Sequence, residues 1–429
     1  MTTIILRISL WLAVLTISGV IVALGIGTTT PGYTIAAHVY DTERETRLLM
    51  LIDTHTQLTQ AVPMPHMGRR DVFFSPDGRR MLIPYGVGAQ TRLAVFSVRE
   101  GGLIYESPPD YIDCNPYLSD FSWSSDNDKL LFTCQDTDQR GIHLFDIPPQ
   151  RTWQISTDEQ TNALWSPDSE TLMLHSTNAI QTYTLATDTT HDLVSEQTRI
   201  SAAQWSPDGT QIAYLFNDSL RLVDAQGGEP QIIYSGRFLI PIPSPQWSPD
   251  GRWMVIVERN LGQALSVNMD TGEHYVLDGD NLKVDGINRI AWTPSSEHLA
   301  IIYTDEDTSA LALSNPTGEQ VTTISVGYVS TYATAPDSHL LGFAQEDATL
   351  SVYDLTQDAM LNQWDIGIMQ NMRWLPDNAH VVYVYRNFDN IDQAPLQLYW
   401  LDVASDAPHP LLDSRYSVIN YTVWSRDDD

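Results

Sequence analysis

Lysine is almost absent from this 429-residue chain. Only Lys129 and Lys283 occur, and with arginine the basic residues reach 23 against 54 Asp and Glu, a formal net charge of −31. Binding to a phosphate backbone is driven by Lys and Arg displacing counterions, so this deficit argues against nucleic acid or any polyanion as partner. Cysteine is nearly missing as well. Cys114 and Cys134 flank Trp123 closely enough for a bridge to form across a hairpin, and sequence leaves open whether they are paired.

The usual marks of catalysis are also lacking. There is no Gly-x-Ser-x-Gly elbow, His-Glu-x-x-His helix or Gly-x-x-x-x-Gly-Lys loop, and no two of the eleven histidines lie within four residues of each other. A sialidase Asp-box needs a residue between Asp and Gly, which the repeats below do not have. Asp278-Gly279-Asp280-Asn281 lacks the spacing and closing Glu of a calcium loop. No catalytic set, cofactor or metal is therefore expected. His143, His175 and His380 read as strand residues.

Apolar residues are plentiful, at 42% with 10% aromatics, which excludes wholesale disorder. Residues 8–27 run without a charge after Arg7. At 1.5 Å per residue they span about 30 Å, the thickness of a bilayer's hydrocarbon. A transmembrane signal anchor is expected there, after a short tail of residues 1–7 and before a linker of residues 28–32; an N-terminal signal peptide is the competing reading. Arg7 on the N-terminal side places the remainder outside the cytoplasm, in the periplasm or at the cell surface.

One signature then recurs. Trp165, Trp205 and Trp247 each open a Trp-Ser-Pro-Asp run, and Phe74, Trp123, Trp292, Thr334, Trp374 and Trp424 lead weaker copies, spaced 40 to 50 residues apart. Pro presets φ at the first turn position, and the Asp carboxylate (Asp77, Asp168, Asp208, Asp250, Asp377) can accept from the backbone two residues on. Gly, where present, takes positive φ. The apolar runs that follow read as buried strands. A second marker keeps phase with the first: an apolar strand ending in an acid at Asp53, Asp146, Asp224, Asp270, Asp354 and Asp402. The period is that of a four-stranded propeller blade.

Residues 33–429 are therefore expected to form a single all-β propeller of nine blades, with eight the alternative should the degenerate Thr334 copy not open a blade. The ring should be closed by pairing residues 417–425 with residues 33–63, which removes the open sheet edge. A monomer is expected.

With these motifs the chain resembles the TolB-like, WD40-like propeller repeat over nearly all of residues 33–425. The resemblance implies the fold and leaves function open, because the repeat serves periplasmic scaffolds and the propellers of prolyl oligopeptidase-type enzymes alike. Neither the additional α/β domain of periplasmic TolB proteins nor the hydrolase domain of those enzymes is expected in these residues.

Antiparallel strands put the short repeated turns on one face and the variable connections on the other. The variable connections carry Tyr111, Asp113, Tyr117, Arg237, Phe238, Asp280, Arg289, Arg386, Phe388 and Asp389, an expected partner-binding face, since function on rigid frames concentrates in variable loops. The short linker turns the repeated-turn face toward the membrane. The expected role is an anchored, non-catalytic scaffold or adaptor for a protein partner. Alternatives are a sensor of a small molecule or glycan in the central funnel, or a propeller hydrolase or lyase with an unrecognised site.

Overall fold

The computed structural model describes residues 32–62, 72–85, 92–107, 121–134, 141–148, 150–156, 161–196, 199–236, 245–258, 263–277, 287–305, 308–345, 348–386, 395–405 and 407–425. The expected anchor, Cys114 and most of the expected partner face lie outside them. Among the described residues, no helix is long and apolar enough to cross a membrane.

The strands assemble into nine four-stranded antiparallel sheets. Eight are built from consecutive strands, and their first strands are Phe73–Phe74, Phe121–Trp123, Asn162–Trp165, Ile200–Trp205, Gln246–Trp247, Ile287–Trp292, Val329–Thr334 and Ile368–Trp374, opening blades 2 to 9 in chain order. Blade 1 takes its first strand from the end of the chain. Tyr416–Ser425 pairs with Tyr33–Asp41 from Tyr33↔Ser425 to Asp41↔Tyr416, with one bulge between His38 and Val39. Thr46–Asp53 and Thr59–Val62 complete that sheet. The expected closure is present, and Val329–Thr334 opens a complete blade despite its missing tryptophan, so the count is nine.

The second strand of a blade serves two interfaces at once. Along Gln211–Phe216, Ile212, Tyr214 and Phe216 pack against blade 4 while Ala213 and Leu215 pack against blade 6. A strand buried on both faces must read as a continuous apolar run, which is why period-2 alternation is faint here. The core is accordingly divided into nine clusters, one between every neighbouring pair of blades. The pair formed by blades 9 and 1 is among them, with Val382, Val384 and Leu398 against Ile35, Ala37 and Val39.

The signature's turn is held by three linked bonds. In blades 2 to 6 the Ser hydroxyl donates to the Asp carboxylate at 2.5 to 2.6 Å. It also accepts from the amide five residues on. The Asp accepts from the amide two residues on, at 2.9 to 3.1 Å, in these blades and also at Asp337 and Asp377. The second marker closes the third strand in the same way at Asp53, Asp224, Asp354 and Asp402. In blade 6 that role falls to Asn268, which accepts from the amides of Asp270 and Thr271, so the expected Asp270 is two residues out of phase.

Candidate binding site in the central channel

The first strands form the hub of the ring. Where a tryptophan ends a first strand, its indole reaches back one blade. Nε1 of Trp123, Trp165, Trp205, Trp292 and Trp374 donates to the carbonyl of Phe73, Ser122, Leu164, Gln246 and Ala333, at 2.9 to 3.3 Å. Each acceptor is the residue just before its own blade's lead position. Trp247 departs from this pattern: its Nε1 is buried and meets no acceptor among the described residues.

Four adjoining first strands leave a cavity of about 430 Å³. Blade 9 contributes Arg373; blade 1 contributes Asn420, Tyr421 and Thr422; blades 2 and 3 contribute the segments around Phe74 and Ser122. The Arg373 guanidinium carbon lies 5.4 Å from the Tyr421 ring centre. Tyr421 is held by its hydroxyl, whose one proton is shared between the carbonyls of Asn371 and Val382, and burial pushes that phenol far above its ordinary range. Also on the lining, the rings of Phe73 and Phe121 meet at 5.1 Å and 53°, half-buried against the core between blades 2 and 3. The lining thus combines a cation, hydrogen-bonding groups and half-buried aromatic residues, within the size range of small-ligand pockets.

Of the ten residues expected to form a partner face, Tyr111, Asp113, Tyr117, Arg237, Phe238, Asp280, Phe388 and Asp389 lie outside the described residues. Arg289 belongs not to a connection but to the first strand Ile287–Trp292, where it is exposed and stands 4.5 Å from the centre of the Tyr332 ring of blade 8. The strand starts at Ile287, directly after the Asp-Gly sequence, and carries a bulge between Ile287 and Arg289. Arg386 ends the second strand of blade 9, half-buried. Sequence reasoning missed Arg373. Its signal was there, a lone cation directly before a lead tryptophan.

The signature aspartates are committed to the frame. The Ser206 hydroxyl and the Thr210 amide bonded to Asp208 hold its carboxyl below the usual range, as suits a turn acceptor rather than a proton donor. Of the strand histidines, His143 stacks on Phe132. His380 stacks on Trp400 at 4.2 Å with Nδ1 2.8 Å from Asp377. His38, not singled out in the sequence, is fully buried with neither ring nitrogen partnered among the described residues. Its pKa falls to about 4, through burial first and the Arg47 charge second. Among the described residues, no group of three His, Cys, Asp or Glu side chains could hold a metal ion.

No family model matches the sequence, and no curated protein does. Solved structures match in fold. A eukaryotic initiation factor superposes at a TM-score of 0.67 with 13% identity, over 92% of this chain and 99% of that one. Dipeptidyl peptidase 4 of Porphyromonas gingivalis gives 0.55 with 12% identity, over 82% of this chain and 60% of that one. TolB of Acinetobacter baumannii gives 0.32 with 18% identity, over 58% and 63%. At these identities the likeness is one of fold alone, a propeller that occurs in enzymes and non-enzymes.

Proposed function

We propose that this chain is a non-catalytic binding propeller of the TolB-like repeat type, held at a membrane by residues 8–27 with its ring outside the cytoplasm. Its ligand site is the channel cavity walled by blades 9, 1, 2 and 3. The observation that carries this reading is the cavity itself: four first strands converge on about 430 Å³ with a cation, an amide, hydroxyls and aromatic rings on its walls. The signature aspartates are spent on turns, which leaves no acid–base pair among them. The test is thermal melting of the full-length chain in detergent against a panel of small metabolites and short peptides. A ligand that binds only the folded state raises Tm. The rise should vanish in Ser122→Trp, which fills the cavity. A panel without any shift, or a shift indifferent to Ser122→Trp, sinks the reading.

A protein adaptor working through the variable connections is the second reading. It is favoured by Val326, which ends the fourth strand of blade 7, and Tyr328 in the connection to blade 8, 67% and 56% exposed. That reading expects partner capture that is lost in Tyr328→Ala and kept in Ser122→Trp.

A further inference from the structure

The chain carries 54 acidic residues, yet none of its nine first strands contains an Asp or a Glu. Acids do occur in the other strands, among them Asp41, Asp53, Glu106, Asp146, Asp192 and Asp365. The charged residues of the first strands are Arg289 and Arg373 alone. The two stand at different heights, three residues and one residue before their lead tryptophans. Elsewhere arginines pair with carboxylates, as Arg80 does with Asp128, Arg92 with Glu106 and Arg221 with Glu196. Arg289 and Arg373 lie against tyrosine rings instead, with no ion-pair partner among the described residues.

We propose that the channel cavity takes a small organic anion, a monocarboxylate with a flat apolar body, and that Arg373 is the residue that binds its carboxylate. This rests on the channel reading above. A guanidinium presents a planar fork that fits a carboxylate with two parallel hydrogen bonds. Seated over the Tyr421 ring, the fork of Arg373 keeps its donors for a ligand; Asn420 on the same lining is bonded instead to the Val72 carbonyl of blade 2, so the guanidinium is the group that meets the carboxylate. The half-buried Phe73 and Phe121 rings on the same lining offer apolar surface to the body of the ligand. A low-dielectric wall with charge of one sign focuses the field within it. The net charge of −31 outside disfavours polyanions, whereas a single charge carried on an apolar body is repelled least.

The probes are phenylacetate and its neutral isostere phenylacetamide, titrated at pH 7 into the full-length chain with saturation-transfer NMR as readout. The acid should bind about tenfold more tightly than the amide, the margin expected of a charge-assisted pair. In Arg373→Gln that ratio should fall to near one, and in Arg373→Lys, which keeps charge but loses the fork, it should lie between. Phe121→Ala should weaken both probes and preserve their ratio. Arg252→Gln, which removes the same charge from an exposed turn of blade 6, should leave it as in the wild type. Equal binding of acid and amide to the wild type overturns the anion inference while leaving the channel reading intact. A preference that survives in Arg373→Gln overturns the role of Arg373. If neither probe binds at millimolar concentration, the anion inference falls, while the channel reading is decided by the metabolite panel and Ser122→Trp.

Discussion

The indole Nε1 of Trp374 donates to the backbone carbonyl of Ala333, 2.9 Å away in the preceding blade. Ala333 precedes Thr334, the lead position that lost its tryptophan, so blade 8 is tied to its neighbour from the far side. Trp374→Phe keeps the ring packing and removes this bond, which should cost about 1 kcal/mol. Trp247 is the internal control, because its Nε1 is buried without an acceptor. Trp247→Phe removes a buried unsatisfied donor and should cost less than about 0.5 kcal/mol or stabilise. Urea unfolding of both variants checks the difference, and equal losses would deny the hydrogen bond any part in holding the hub.

A second tie runs between the signature turns. Six of the nine copies lack the glycine, and in the five of these whose turns are described Asn127, Ser169, Ser296, Ser338 and Asn378 occupy its place at φ between 58° and 65°. Each of their side chains accepts a hydrogen bond from a turn amide of the blade before, those of Asp77, Asp126, Asp250, Ser295 and Asp337. Asn378→Ala loses that bond and leaves an alanine at positive φ, a combined cost of about 1–2 kcal/mol. In the converse experiment, Gly251→Asn places a Cβ 3.7 Å from Pro207 and offers an acceptor to the equivalent amide of Asp208. Its stability should stay within about 0.5 kcal/mol of wild type, whereas Gly251→Val should lose more than about 1 kcal/mol. A Gly251→Asn protein as unstable as Gly251→Val would refute the bridging role.

These turns show how far the sequence could be read. The blade period, the Ser-Pro-Asp turn and the ring closure were legible because each is local or repeats. The missing glycines read as decay of the motif, and the structure shows them as substitutions that add an interblade bond. Thr334 raised doubt about a blade for the same reason: one side chain was weighed, while the strand is specified by its burial on two sides. Arg373 and the Phe73–Phe121 wall went unseen because residues some 250 to 300 positions apart meet only once nine blades close, and no local pattern encodes that meeting. Arg289 was placed in a connection because the Asp-Gly sequence before it suggested a loop that in fact ends sooner.

Burial of His38 makes stability depend on pH in a defined window. Its folded pKa, about 4, lies below the ordinary 6.5, so the unfolded chain binds the extra proton first. The stabilisation is complete above pH 6.5 and is lost as pH falls toward 4, by about 3 kcal/mol in all. His38→Phe fills a similar space without a titrating group, so its stability should change less between pH 7 and 4.5 than that of the wild type. Denaturant midpoints at the two pH values decide it, and parallel losses in both proteins would show that carboxylates alone carry the acid sensitivity.

The ring depends on ten residues from the end of the described chain. Tyr416–Ser425 covers the hydrogen-bonding edge of Tyr33–Asp41, supplies Tyr416, Val418 and Tyr421 to the cluster between blades 9 and 1, and through the Tyr421 hydroxyl bonds the Val382 carbonyl of blade 9 at 3.0 Å. Removing residues 416–429 leaves blade 1 with three strands and an open edge, the arrangement that invites pairing with another chain. The truncated protein should melt at lower temperature and form oligomers or aggregates at concentrations where the full chain stays monodisperse. A synthetic peptide of residues 416–425 supplied in trans should rebind and restore both properties, since edge, pockets and register are all still present in the remainder. A truncated chain that stays monomeric with an unchanged melt would mean that the eight complete blades hold the ring without this closure.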